Sequence, residues 1–178
     1  MLPIPFLNCS DEREFSIDFA RKKAEKMTNS PFGFDAPEDS PGFLLWQTTL
    51  FWQRMIKKAL EPYDISHAQF VIMAILLWWH GQEKEVTQID IIALSKLDKM
   101  TVSKSLKKLV GMDLVVRHEH SQDTRAKSVQ LTKMGVDLAG KLVPVVESID
   151  ENFFGKLPKT QEKDLIFALQ ALAADKKC

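Results

Sequence analysis

Residues 98–135 decide the fold. They read Asp98-Lys-Met-Thr-Val-Ser-Lys-Ser-Leu-Lys-Lys-Leu-Val-Gly-Met-Asp113, then Leu114-Val-Val-Arg-His-Glu-His120, Ser121-Gln-Asp-Thr-Arg-Ala-Lys-Ser-Val-Gln-Leu131 and Thr132-Lys-Met-Gly135. Asp98 is a helix cap, because a short carboxylate can accept from the orphan N–H groups of a first turn. Behind it, Val102, Leu106, Leu109 and Val110 follow i, i+4, i+7, i+8, one inward face. Met100, Lys104, Lys107 and Lys108 point largely the other way. The period then changes. Leu114 to His120 reads as extended, Ser121–Thr124 as a turn, and Arg125 to Leu131 as a returning strand. On that strand Val129 and Leu131 share one face, with Ser128 and Gln130 on the other.

Upstream, Thr87 to Asp90 is a capping box with Asp in place of the usual Glu, opening a short helix through Ser95. Ser66 caps a helix from His67 to about Gly81. Its apolar run, Phe70 to Trp79, implies burial on most sides. Ser40-Pro41 starts an earlier helix, a capping hydroxyl followed by proline at the first helical position, running to about Leu60 before Pro62. Thr132 caps a long helix, expected to kink or break near Pro144. Thr160 caps the last, with Leu165, Leu169 and Leu172 in step. Residues 1–39 read as an extension in which Glu14 to Met27 forms an amphipathic helix.

Composition narrows the function. The chain has 178 residues, 45% hydrophobic and 27% charged, with 24 basic and 24 acidic residues. That is an ordinary globular balance, not a disordered or fibrous one. The neutral total hides an asymmetry: residues 99–133 hold eight basic residues against three acidic ones. A basic stripe on a neutral chain faces a polyanion or is a solvated surface. The longest apolar run is ten residues, against roughly 20 needed to span a bilayer. Acidic residues directly after the apolar start argue against a secretory signal. Cys9 and Cys178 make neither a disulfide scaffold nor a four-ligand zinc site, which predicts a reducing cytoplasm. No phosphate loop, Gly-x-Ser-x-Gly elbow or zinc or haem motif is present, so an enzyme is not expected and no cofactor is implied.

A short capped helix, a turn, a second helix with a basic outer face and a basic hairpin together make a winged helix-turn-helix. The fold class is mainly α, with a small β-hairpin wing. Four parts are expected: an extension (1–39), a first core and dimerisation helix (40–66), a DNA-binding winged module (67–135) and C-terminal dimerisation helices (136–178).

From about Ser40 to Leu172 the order and spacing resemble the MarR family of bacterial transcription regulators. The wing stretch Asp123-x-Arg125, then Leu131-Thr132 and Gly135, carries the resemblance, with Asp98-Lys-Met-Thr-Val-Ser-Lys as recognition helix. Aspartate stands at 113 where the family usually has glycine. The resemblance implies a homodimeric, sequence-specific double-stranded DNA-binding regulator, a repressor on a palindromic operator, modulated by a small ligand or another signal. Lys99, Met100, Thr101, Ser103, Lys104 and Lys107 would face the major groove, with Arg117 and Lys127 on the wing. Arg125 would enter the minor groove, and Asp123 would position it. Trp46, Phe51, Trp52 and Trp78 are either core or a pocket for a small aromatic ligand. Other readings stay open: a winged-helix module for protein contacts, a redox-responsive regulator using Cys9, and a metal held by His118 and His120.

Overall fold

The computed structural model describes residues 31–82, 85–119 and 127–174. The helix expected over Glu14–Met27, Cys9, His120, Asp123 and Arg125 lie outside them. Six α-helices and one hairpin make up the described chain: α1 (Pro41–Leu60), α2 (His67–Trp78), α3 (Gln88–Ser95), α4 (Lys99–Gly111), β1 (Val115–Glu119), β2 (Lys127–Leu131), α5 (Lys133–Phe154) and α6 (Lys159–Ala174). Two units are distinguished, Met1–Thr49 and Leu50–Cys178. The first holds the start of α1, where the Phe43 N–H donates to Ser40 Oγ and Phe43 stacks on Trp46.

The second unit builds its core from the end of α1, α2, α3, α4, the hairpin and the first half of α5. Ile72, Met73, Ile91, Val102, Leu106, Leu109, Val129 and Leu142 are buried together. The caps expected at Ser66 and Thr87 form. Ser66 and Gln69 bond reciprocally, as do Thr87 and Asp90, so the shorter aspartate closes a capping box as well as glutamate would.

The exit of α4 explains three residues at once. Asp113 adopts a left-handed backbone, φ 57°. Its N–H reaches Val110 O and the Leu114 N–H reaches Leu109 O, the paired closure that usually calls on glycine. Aspartate tolerates this conformation better than most side chains. The Asp113 carbonyl then accepts from Thr132 Oγ1 at 2.7 Å, and Thr132 Oγ1 accepts from the Gly135 N–H at 2.9 Å, capping α5. A Cβ on Gly135 would collide with the Leu114 carbonyl oxygen. Thr132 and Gly135 thus clamp the first turn of α5 onto the end of α4.

Several expectations change. Val110, read as inward, is 42% exposed; the buried stripe includes Ser105, and at about 100° per residue that swings its centre away from Val110. Ser128, read as outward, is buried. The Val86 carbonyl accepts from the Val129 N–H and Thr87 bridges Ser128, so a third extended segment covers that side of β2. The second helix stops at Trp78, with Trp79 as its cap and Gly81 turning at φ 81°. Trp78 itself is 77% exposed. Helix α5 runs unbroken through Pro144; the carbonyl deprived of its donor belongs to Gly140, an exposed residue, where solvent can satisfy it. Thr160 does not cap α6. The helix begins at Lys159, with Pro158 O accepting from the Glu162 N–H.

Candidate nucleic-acid interface

The two middle helices are held at a tight turn. Helix α3 ends at Lys96 in a left-handed conformation, φ 58°, and two residues later Asp98 opens α4. Asp98 Oδ1 accepts from the Thr101 N–H at 2.9 Å and Oδ2 from the Thr101 hydroxyl at 2.6 Å. These bonds, the hydroxyl's first, hold the Asp98 carboxyl below its ordinary pKa. The cap therefore stays ionised at neutral pH, and Thr101 serves the helix start as well as any ligand.

With Val102, Ser105, Leu106 and Leu109 buried, rotation about α4 is fixed. Lys99, Met100, Ser103, Lys104 and Lys107 are exposed, and Met100, Ser103, Lys104 and Lys107 fall at i, i+3, i+4 and i+7, one face. Lys108 has a different task. Its Nζ lies 3.0 Å from Asp64 Oδ1 and 3.1 Å from the Asp64 carbonyl, tying the last turn of α4 to the segment between α1 and α2. In the hairpin, Arg117 pairs across from Val129, and Glu119 from Lys127; Arg117 and Lys127 are exposed. His118 is exposed too, and among the described residues no cluster of three or more metal-ligating side chains occurs.

The four candidate pocket aromatics belong to different surroundings. Trp46 belongs to the Met1–Thr49 unit and is 59% exposed. Phe51 meets Phe153, ring centroids 5.9 Å apart, and Trp78 is exposed. Trp52 alone of the four lines a cleft of about 680 Å³ with Lys57, Ile65, His67, Leu97 and Lys108. Its indole N–H donates to Asp150 Oδ1 at 2.7 Å, and its ring meets His67 edge-on at 5.2 Å. Burial lowers the His67 pKa, while the Asp150 charge partly opposes it. Sequence reasoning missed Asp64, Asp150 and His67. The ion pair and the indole bond join residues 44 and 98 positions apart, and no local pattern announces such pairs.

No helix among the described residues is long and apolar enough to cross a membrane. Residues 61–148 match the family described as ArnR1-like, winged-helix domain. The chain is 34% identical over 139 residues to the uncharacterized HTH-type transcriptional regulator YdcH of Bacillus subtilis (strain 168), covering 78% of this chain and 93% of that one. Its fold is similar to that of BpsR of Bordetella bronchiseptica, whose DNA binding is regulated by 6-hydroxynicotinic acid. That match has a TM-score of 0.72 and 22% identity, over 83% of this chain and all of that one. It is similar also to MepR of S. aureus in complex with DNA, with a TM-score of 0.69 and 23% identity, over 76% of this chain and 97% of that one.

Proposed function

The chain belongs to the MarR family of winged helix-turn-helix transcription regulators, and we propose that it works as a cytoplasmic, homodimeric repressor, not an enzyme, whose operator affinity a small aromatic ligand modulates. The observation that carries the DNA reading is the outer face of α4. It is rotationally locked by its buried stripe, fixed at its start by Asp98, and lined by Lys99, Met100, Ser103, Lys104 and Lys107. A helix so presented fits the major groove. Thr101 supports its first turn. Arg117 and Lys127 extend the cationic surface along the wing, with Arg125 reaching a minor groove and Asp123 orienting it.

One such helix reads a half-site. A symmetric dimer supplies two, about 34 Å apart, on a palindromic duplex. Apolar residues left outside on α6, Ile166, Phe167, Leu169 and Leu172, and on the start of α1, Phe43 to Trp46, supply the kind of surface that dimers bury.

The Trp52 cleft is the ligand site in this reading. It carries an aromatic wall, two lysines and two carboxylates, Glu61 and Asp64, and one of the lysines, Lys108, stands on the reading helix itself. A bound carboxylate would compete with Asp64 for Lys108 and so bias the placement of α4. Its effect is bounded by its differential affinity for the two states. In the Bordetella relative of similar fold, 6-hydroxynicotinic acid regulates DNA binding.

The test is footprinting on the DNA upstream of the protein's own coding sequence, with and without a panel of small aromatic acids. Two protected segments related by a dyad and weakened by one of the acids are expected. Protection of a single segment would contradict the dimeric reading. Binding that none of the acids alters would contradict their role as modulators.

A further inference from the structure

On the stripe that α4 turns outward, one side chain does not match its neighbours. Met100 is 64% exposed, flanked by Lys99 and sharing its face with Ser103, Lys104 and Lys107. The cations and the hydroxyl can bond phosphates or base edges. Met100 can bond neither. It sits in the first turn after the Asp98 cap, and the first residues of a recognition helix are those that reach base edges. In the major groove, only thymine offers an apolar feature, its 5-methyl group. A flexible thioether side chain adapts its shape to such a contact.

From this juxtaposition we propose that Met100 is a specificity-determining residue that packs against the 5-methyl group of one thymine in each operator half-site. The proposal rests on the DNA-binding reading above and adds to it which base Met100 selects. It needs no polar contact from Met100, so the discrimination is between thymine and the same base without its methyl group. Met100 contributes no charge, and its role is independent of the salt-sensitive contacts made by Lys104 and Lys107.

The experiment uses the full chain and the tightest duplex it selects from a random-sequence pool. Each thymine of that duplex is replaced in turn, in both half-sites, by deoxyuridine, which removes only the methyl group. Wild type should show one position whose replacement weakens binding by about fourfold per half-site, the worth of one buried methyl group. Met100→Ala should bind the unmodified duplex more weakly by at least as much, lose the response to deoxyuridine at that position, and keep its salt dependence. A wild-type chain indifferent to every replacement would overturn the proposal, as would a Met100→Ala chain that still responds at the same thymine. A chain that selects no duplex at all would instead remove the DNA-binding reading, so the two failures are told apart at the selection step. Melting of Met100→Ala close to that of wild type, expected for an exposed position, excludes misfolding as the cause.

Discussion

The middle of the chain and its ends treat large apolar residues in opposite ways. In the winged module Met73, Ile91, Leu106 and Leu109 are fully buried, and the cations stand on the outside. Along α6 no residue is buried; Phe167 is 75% and Leu172 70% exposed. The start of α1 likewise leaves Leu45 and Trp46 outside. The module's core is closed with the help of Ile56 and Leu60 at the end of α1 and Ala139, Leu142 and Val146 on α5, whereas α6 and the start of α1 carry apolar surface that the described residues leave exposed. The reading unit is therefore folded onto the end of α1 and the first half of α5. In the proposed dimer, a second copy covers these apolar faces.

The sharpest way to break this contrast is a pair of truncations. Leu106→Ala removes a buried side chain and should cost about 2–5 kcal/mol of stability, read by denaturant titration. Phe167→Ala should leave the helical signal in circular dichroism intact while sedimentation shifts the chain towards monomer. If Phe167→Ala unfolds the chain as Leu106→Ala does, α6 packs within its own protomer and the contrast fails.

Gly135→Ala tests the clamp between α4 and α5. The added methyl meets the Leu114 carbonyl, a backbone atom that cannot step aside as a side chain end would. The expected loss is about 1–3 kcal/mol, towards the upper end. A melting temperature unchanged from wild type would mean that the first turn of α5 does not press on the end of α4.

A smaller effect concerns His67, at the wall of the cleft. Burial lowers its pKa in the folded chain, below the ordinary value of about 6.5. The folded state thus binds fewer protons than the unfolded one as pH falls past 6.5. The stability contribution is fully present above that value and is lost as pH drops through the lowered one. Wild type should lose more melting temperature than His67→Gln between pH 7 and pH 5. Equal losses would show that His67 protonates as freely in the fold as outside it.

These contrasts also show what could be read in the residues alone. Caps at Ser66, Thr87, Asp98 and Thr132 were legible because each satisfies orphan N–H groups within three residues of itself. The inward stripe of α4 was legible from its period, apart from Val110 at its margin. Ser128 was not, because its burial depends on Val86 and Thr87 arriving from some forty residues upstream. The same holds for the cleft, whose Trp52–Asp150 and Lys108–Asp64 bonds join distant segments. The aromatic content of α1 and α2 left core and pocket both open, because helical spacing does not tell which of four rings turns inward; Trp52 lines the cleft.

If the outer face of α4 meets DNA phosphates and bases, the salt dependence of affinity reads those contacts out. Binding to the selected duplex should weaken linearly in log–log form as salt rises, with a slope of roughly −0.9 for each phosphate contacted. Lys104→Ala and Lys107→Ala should each flatten that slope by about one for every phosphate the lysine neutralises, without change in melting. A wild-type slope near zero, or slopes in both variants identical to wild type, would contradict the assignment of this face to DNA.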